Sequence, residues 1–170
     1  MAKASLKRHT MWVAAAFVGA LGIDIASKWA ITTIVMLPPR TIEIAPFFNV
    51  MLSFNTGVSF GLFRDFFEDR PLLLSGVKTA IAAVILLWAL RSERRIQAAA
   101  LGLIAGGAAG NIVDRVRNGA VTDFLDFHLG AWRWPTFNMA DVAITLGAML
   151  LITRSVVSTD KQASRSATPS

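Results

Sequence analysis

Cysteine is absent from all 170 residues. Disulfides, thiolate metal ligands and a thiol nucleophile are excluded together. Charge is scarce as well: Asp, Glu, Lys and Arg make up 16% of the chain, against about 25% in an average soluble domain. Histidine is limited to His9 and His128, and neither lies near Ser53 or Ser59 in the sequence, so serine-nucleophile chemistry has no support. Hydrophobic residues, by contrast, make up 54% of the chain, and the mean hydropathy is +0.54. A water-soluble fold of that composition would have too little polar surface to cover its core, so lipid is the expected surrounding. The length fits a single domain.

Four apolar runs give four expected membrane helices, at about 11–37, 72–90, 96–113 and 138–157, each near the roughly 20 residues that span a bilayer. The first follows Lys3, Lys7 and Arg8 as a signal peptide would, but it is far longer than a hydrophobic region of about 7–15 residues and is kept as a membrane helix. The third run is expected to stop at Asp114-Arg115. One integral membrane domain over 1–159 and a disordered cytoplasmic tail at 160–170 complete the expected organisation.

The net charge of +6 comes from Lys and Arg scattered singly or in short flanks beside the apolar runs. That is the pattern of membrane topology, and nucleic acid is not an expected partner. Nine basic residues lie on the side of the two termini and the 91–95 loop, against six in the loops 38–70 and 114–137. Both termini are therefore expected in the cytoplasm and both long loops outside. The first of these loops carries β-prone stretches around Pro46 and an Asn55-Thr56-Gly57 turn signal, which predict a small β-structure at the outer membrane surface. Phe63 to Phe67 read as a short interfacial helix.

Several polar residues are costly to explain as scaffold. Asp24 and Lys28 stand four apart, well inside the first run, as a structural polar pair would. Gly102, Gly106 and Gly110 give the third helix a smooth face for close packing. Asn111 lies one turn inside the apolar zone and needs a partner. Asn138 followed by Asp141 has the spacing of a capping box, and capping alone is a fair account of it. The topology nonetheless brings Asp114, Asp123, Asp126 and Asp141 to one face. Two close carboxylates share a proton, so one can activate water while the other polarises a carbonyl. Spacing leaves open which two.

Together these stretches resemble the lipoprotein signal peptidase family, signal peptidase II: Asp24 with Lys28, Asn55 through Gly61, Gly110-Asn111 with Asp114-Arg115, Val121 to Phe124, and Phe137-Asn138 with Ala140-Asp141. The resemblance implies an all-α membrane protein of four transmembrane helices with a small periplasmic β-cradle, in the bacterial inner membrane. It implies an aspartic endopeptidase that cleaves diacylglyceryl-modified prolipoproteins just before the lipidated cysteine, without metal or other cofactor. Asp123 and Asp141 match the catalytic pair; Asn55, Asn111, Asp114, Arg115 and Asn138 match substrate-binding or supporting positions. Prolipoproteins and membrane lipids are the implied partners, and globomycin-type cyclic peptides the implied inhibitors. Asp126 falls outside the motif and reads as a solvated loop acid.

A proton-coupled transporter is the principal rival, because intramembrane Asp and Lys also mark ion pathways. It calls for paired broken helices or internal repeats, and the sequence has neither. A purely structural membrane subunit would not need polar motifs gathered on one face.

Overall fold

A computed structural model describes residues 2–57 and 71–166. Phe63 to Phe67 lie outside the described residues. Among the described residues are four long helices: α1 Ala2–Ala30, α2 Pro71–Leu90, α3 Arg95–Asn118 and α4 Met139–Ser166, with a π-helical turn, Ile31–Val35, prolonging α1. Two spans, His9–Val35 and Arg95–Asn118, are long and apolar enough to cross a membrane, and Ser75–Leu90 is a shorter apolar helix.

Helix α3 is the central element and packs on α1, α2 and α4. Its small residues make that possible. A methyl group at Gly102 would stand 2.8 Å from the Val13 carbonyl oxygen, one at Gly106 would meet the Phe17 backbone, and one at Gly107 would stand 2.5 Å from the Ala140 carbonyl oxygen. Large apolar side chains point outward instead, among them Val18, Ile23, Trp29, Val84, Leu87 and Ile152. Apolar residues outside and small or polar ones inside is the arrangement lipid requires.

The third apolar run does not end its helix at Asp114-Arg115. Helix α3 continues to Asn118 and stops at Gly119, whose φ of 73° is the left-handed conformation glycine adopts without strain. Hydropathy ends where the side chains turn polar, whereas the backbone ends where a left-handed residue breaks the ladder. Helix α4 likewise continues past the apolar run to Ser166, into the stretch expected to be a disordered tail. A polar segment that extends a formed helix needs no new nucleus.

A four-stranded antiparallel sheet, ordered β1-β2-β3-β4, joins the helices: β1 Ile42–Ala45, β2 Phe48–Asn55, β3 Val121–Leu129 and β4 Trp132–Arg133. The first two strands lie in the stretch where β-structure was expected. The other two come from the second long loop, for which no strand was expected, and they place His128 in β3. The β2–β3 register sets Ser53 opposite Asp123 and Asn55 opposite Val121.

Asp126 is not a solvated acid. It is 2% exposed and accepts from Asn49 Nδ2 at 3.1 Å and Arg133 Nη1 at 2.8 Å. Strand alternation turns it to the face of β3 opposite Asp123, where it ties β2 to β4. Asp126→Ala strands the buried Asn49 amide, a loss of about 1–3 kcal/mol. Arg133 is largely exposed, so its ion pair adds little. Thermal unfolding in detergent is expected to show that loss; a variant as stable as wild type would contradict the assignment.

Candidate active site

The end of α3, strand β3 and the start of α4 are pinned to one another by backbone and side-chain hydrogen bonds. After the Gly119 reversal, the Thr122 N–H donates to Asp114 Oδ2 at 2.6 Å, which fixes the residue just before Asp123. Two residues on, the Phe124 and Leu125 N–H groups both donate to the Phe137 carbonyl, at 3.0 and 2.9 Å, and the Phe137 N–H returns to Leu125 O at 3.0 Å. That short pairing delivers Asn138 and the first turn of α4 to the side of Asp123.

Asn138 is fully buried. Its side-chain oxygen accepts the Asp141 N–H at 3.1 Å, while the Asp141 carboxylate accepts the Asn138 N–H at 3.2 Å. This is the reciprocal capping box expected from the sequence. Its amide nitrogen is free for other work: it donates to Asp123 Oδ1 at 2.6 Å, and lies 3.0 Å from Asn111 Oδ1. Asn111 in turn donates Nδ2 to Asp141 Oδ1 at 3.0 Å. Two asparagines thus bridge two aspartates.

A second layer holds these asparagines. Lys28 Nζ donates to Asn111 Oδ1 at 3.0 Å and pairs with Asp24 at 2.9 Å and Asp114 at 3.3 Å. Asp24, fully buried, accepts the Ala140 N–H at 2.9 Å, so a carboxylate from α1 serves the N-terminus of α4 one residue before Asp141. A methyl group at Gly110 would collide with that carboxylate. The expected structural pair, Asp24 with Lys28, therefore reaches both sides of the site.

Asp123 and Asp141 open onto a cavity of about 730 Å³ between α2, α3, α4 and the segment 134–137. Asn55, Asn111 and Arg115 line it too, among apolar side chains such as Ile85, Ile104 and Leu146. Burial pushes the Asp123 carboxyl up to about 6, and the Asp141 charge adds to the rise. Hydrogen bonds from Asn138 and Asn55 and the charge of Lys28 pull the other way. Asn55 also accepts the Gly57 N–H at 3.0 Å, closing the expected turn. Arg115 donates to the Gly57 carbonyl at 3.2 Å, which tethers that turn to α3.

Asp24, Lys28, Asn55, Asn111, Asp114, Arg115, Asp123, Asn138 and Asp141 thus belong to one connected polar cluster or line its cavity, and Asp126 does not. Lys78 was missed. It lines the same cavity from α2, and its signal was available, because it is the one charged residue of that helix.

A family model described as signal peptidase (SPase) II matches residues 16–157. A lipoprotein signal peptidase of Sphingopyxis alaskensis is 39% identical over 150 residues, which cover 87% of this chain and 87% of that protein. One from Methylobacterium sp. (strain 4-46) is 42% identical, with 80% and 83% covered, and one from Rhizorhabdus wittichii 45% identical, with 79% and 80% covered. A solved structure described as a bacterial membrane enzyme aligns with a TM-score of 0.71 at 26% identity, over 88% of this chain and 90% of that one.

Proposed function

The chain belongs to the signal peptidase II family, and from that premise we propose that it works as an aspartic endopeptidase in which Asp123 and Asp141 are the catalytic pair. It is a membrane-bound peptidase that removes signal peptides from prolipoproteins. The observation that carries the catalytic reading is the joint placement of two carboxylates, bridged by Asn138 and Asn111, at the wall of a largely apolar cavity.

The two carboxylates differ in a way that assigns their roles. Asp123 is buried in β3, and burial, with the charge of Asp141, makes its carboxyl hold a proton to a higher pH than an ordinary aspartate does. Asp141 accepts from Asn111 and from the Asn138 N–H and lies in the first turn of α4, where the helix dipole favours an anion. In this reading Asp141 takes a proton from water as the water attacks the scissile carbonyl. Asp123 donates a hydrogen bond to the developing oxyanion. The proton gained by the pair then passes to the leaving amine. Arg115 and Asn55, beside the pair, contact the extended substrate backbone, and the apolar wall takes the lipid chains of the modified cysteine. Purified protein in detergent, given a diacylglyceryl-modified precursor, is expected to release the signal peptide; intact precursor under conditions where the protein is folded would overturn the reading.

All four helices span the inner membrane in this reading, with both termini cytoplasmic and the sheet and aspartate pair on the periplasmic face; the boundary of the domain falls near 159. The rim of Phe47, Phe54, Leu129 and Trp132, all exposed, suits a sheet resting among lipid headgroups. Cysteines introduced singly at Ser5, Ser92 and Thr136 test the topology in this cysteine-free chain. An impermeant reagent on intact spheroplasts is expected to label Thr136→Cys alone. Labelling at the other two positions with none at 136 would invert the arrangement.

A further inference from the structure

Lys78 has no described structural task. It is half-buried on α2, a helix whose other residues carry no charge, and among the described residues it forms no ion pair. A lysine so placed is expensive unless the charge is used. With Ile81, Ala82 and Ile85 it makes one α2 stripe, spaced 3, 4 and 7 residues on, that lines the cavity of Asp123 and Asp141. The charges its ammonium group feels are those of Arg115, Asp141 and Asp123. It therefore shares one cavity with the two carboxylates.

We propose that Lys78 is a positioning residue for the aspartate pair, its ammonium group holding the pair in the singly ionised form that the reaction needs. The inference rests on the catalytic reading of Asp123 and Asp141. Burial and mutual repulsion make both carboxylates of such a pair harder to ionise, so the base appears only at higher pH. A cation on the open side counters this. Among the described residues, the other cations around the pair are Arg115, in the last turn of α3, and Lys28 of α1, whose charge is shared by Asp24 and Asp114. Arg115 donates to the Gly57 carbonyl and Lys28 is committed to the layer behind Asn111. Lys78 is the cation left facing the cavity without a described partner. A lysine that only snorkels toward the headgroups would pass through the same space and leave the titration of the pair unchanged.

The test is the pH profile of kcat/KM for wild type, Lys78→Met and Lys78→Arg in detergent with a lipid-modified precursor. Methionine fits an apolar helix and keeps most of the stem volume, so folding is retained. Removing the cation raises both ionisations of the pair, so the whole bell moves alkaline. A move of about one unit is expected from the loss of an opposite charge lining the same cavity. At a pH on the acid limb the Met variant then loses about tenfold and regains it one unit higher. Lys78→Arg restores the wild-type profile. A Met profile superimposable on wild type overturns the inference, as does loss of the alkaline limb alone, which would make Lys78 itself the titrating group, or inactivity throughout. Asp123→Asn and Asp141→Asn are assayed beside it. If these remain active the catalytic reading fails; if they are inactive and the bell is unmoved, only the role of Lys78 fails.

Discussion

Asp123→Asn and Asp141→Asn are each expected to lose nearly all prolipoprotein cleavage, at least the 10²–10⁴-fold typical of general acid–base catalysis. The substitution keeps shape and most hydrogen bonds. Asparagine at 141 keeps one oxygen to accept from either Asn111 or the Asn138 N–H, and its backbone N–H still donates to Asn138, so the helix cap largely survives and thermal unfolding separates the lost proton transfer from any change in architecture. The double variant should be little worse than either single one, because both residues serve one step and a unit cannot be lost twice. Cleavage is measured at saturating and limiting precursor, with folding followed by thermal unfolding. Substantial turnover by Asp141→Asn would leave that residue with capping alone, and the two-aspartate mechanism would have to be given up.

The same substitution at 123 carries a second, independent expectation. Because the folded state holds the Asp123 proton more tightly than the unfolded chain does, the unfolded chain ionises first as pH rises. The stability linked to that proton is fully present below about pH 4 and is lost as pH rises through about 6. Asparagine does not ionise and escapes this loss. Asp123→Asn is thus expected to be inactive yet more resistant to unfolding than wild type at pH 8, with the difference vanishing near pH 4. Equal pH dependence in the two proteins would contradict the burial cost assigned to Asp123.

Side-chain chemistry that acts locally was legible in the sequence. The capping box between Asn138 and Asp141, the Asn55-Gly57 turn and the glycine face of α3 all express rules that reach across a few residues. The convergence of Asp123 on Asp141 needed more. It depends on Phe137 pairing with Leu125 across the β4 turn, and a single bridge between irregular segments leaves no periodicity to read. The resemblance supplied that pairing where spacing alone had left four aspartates open. Asp126 shows the converse: in a loop it would have been solvated, but once Val121–Leu129 is a strand its alternation buries it against Asn49. The alternation was interrupted by two acids whose partners lie far away in the chain, and so the run did not look like a strand.

Lys28→Met is expected to have the largest effect on stability. The ammonium group of Lys28 makes three contacts, with Asp24, Asp114 and Asn111, which match its three hydrogens. Methionine fills much of the same volume but leaves two carboxylates, 0% and 7% exposed, without a counter-charge. Breaking a buried pair from one side costs about 3–5 kcal/mol, and two stranded partners put this case toward the upper end. Asp24→Asn should be milder, because the amide oxygen can still accept the Ala140 N–H and the lysine keeps Asp114. Combining the two should cost less than the sum, since Asp24→Asn removes one of the anions that Lys28→Met would strand. Unfolding in detergent across this double-mutant cycle measures the coupling directly. Strict additivity, or a Lys28→Met protein within about 1 kcal/mol of wild type, would mean that the polar layer is open to water and not the brace that aligns α1 and α3 with the first turn of α4.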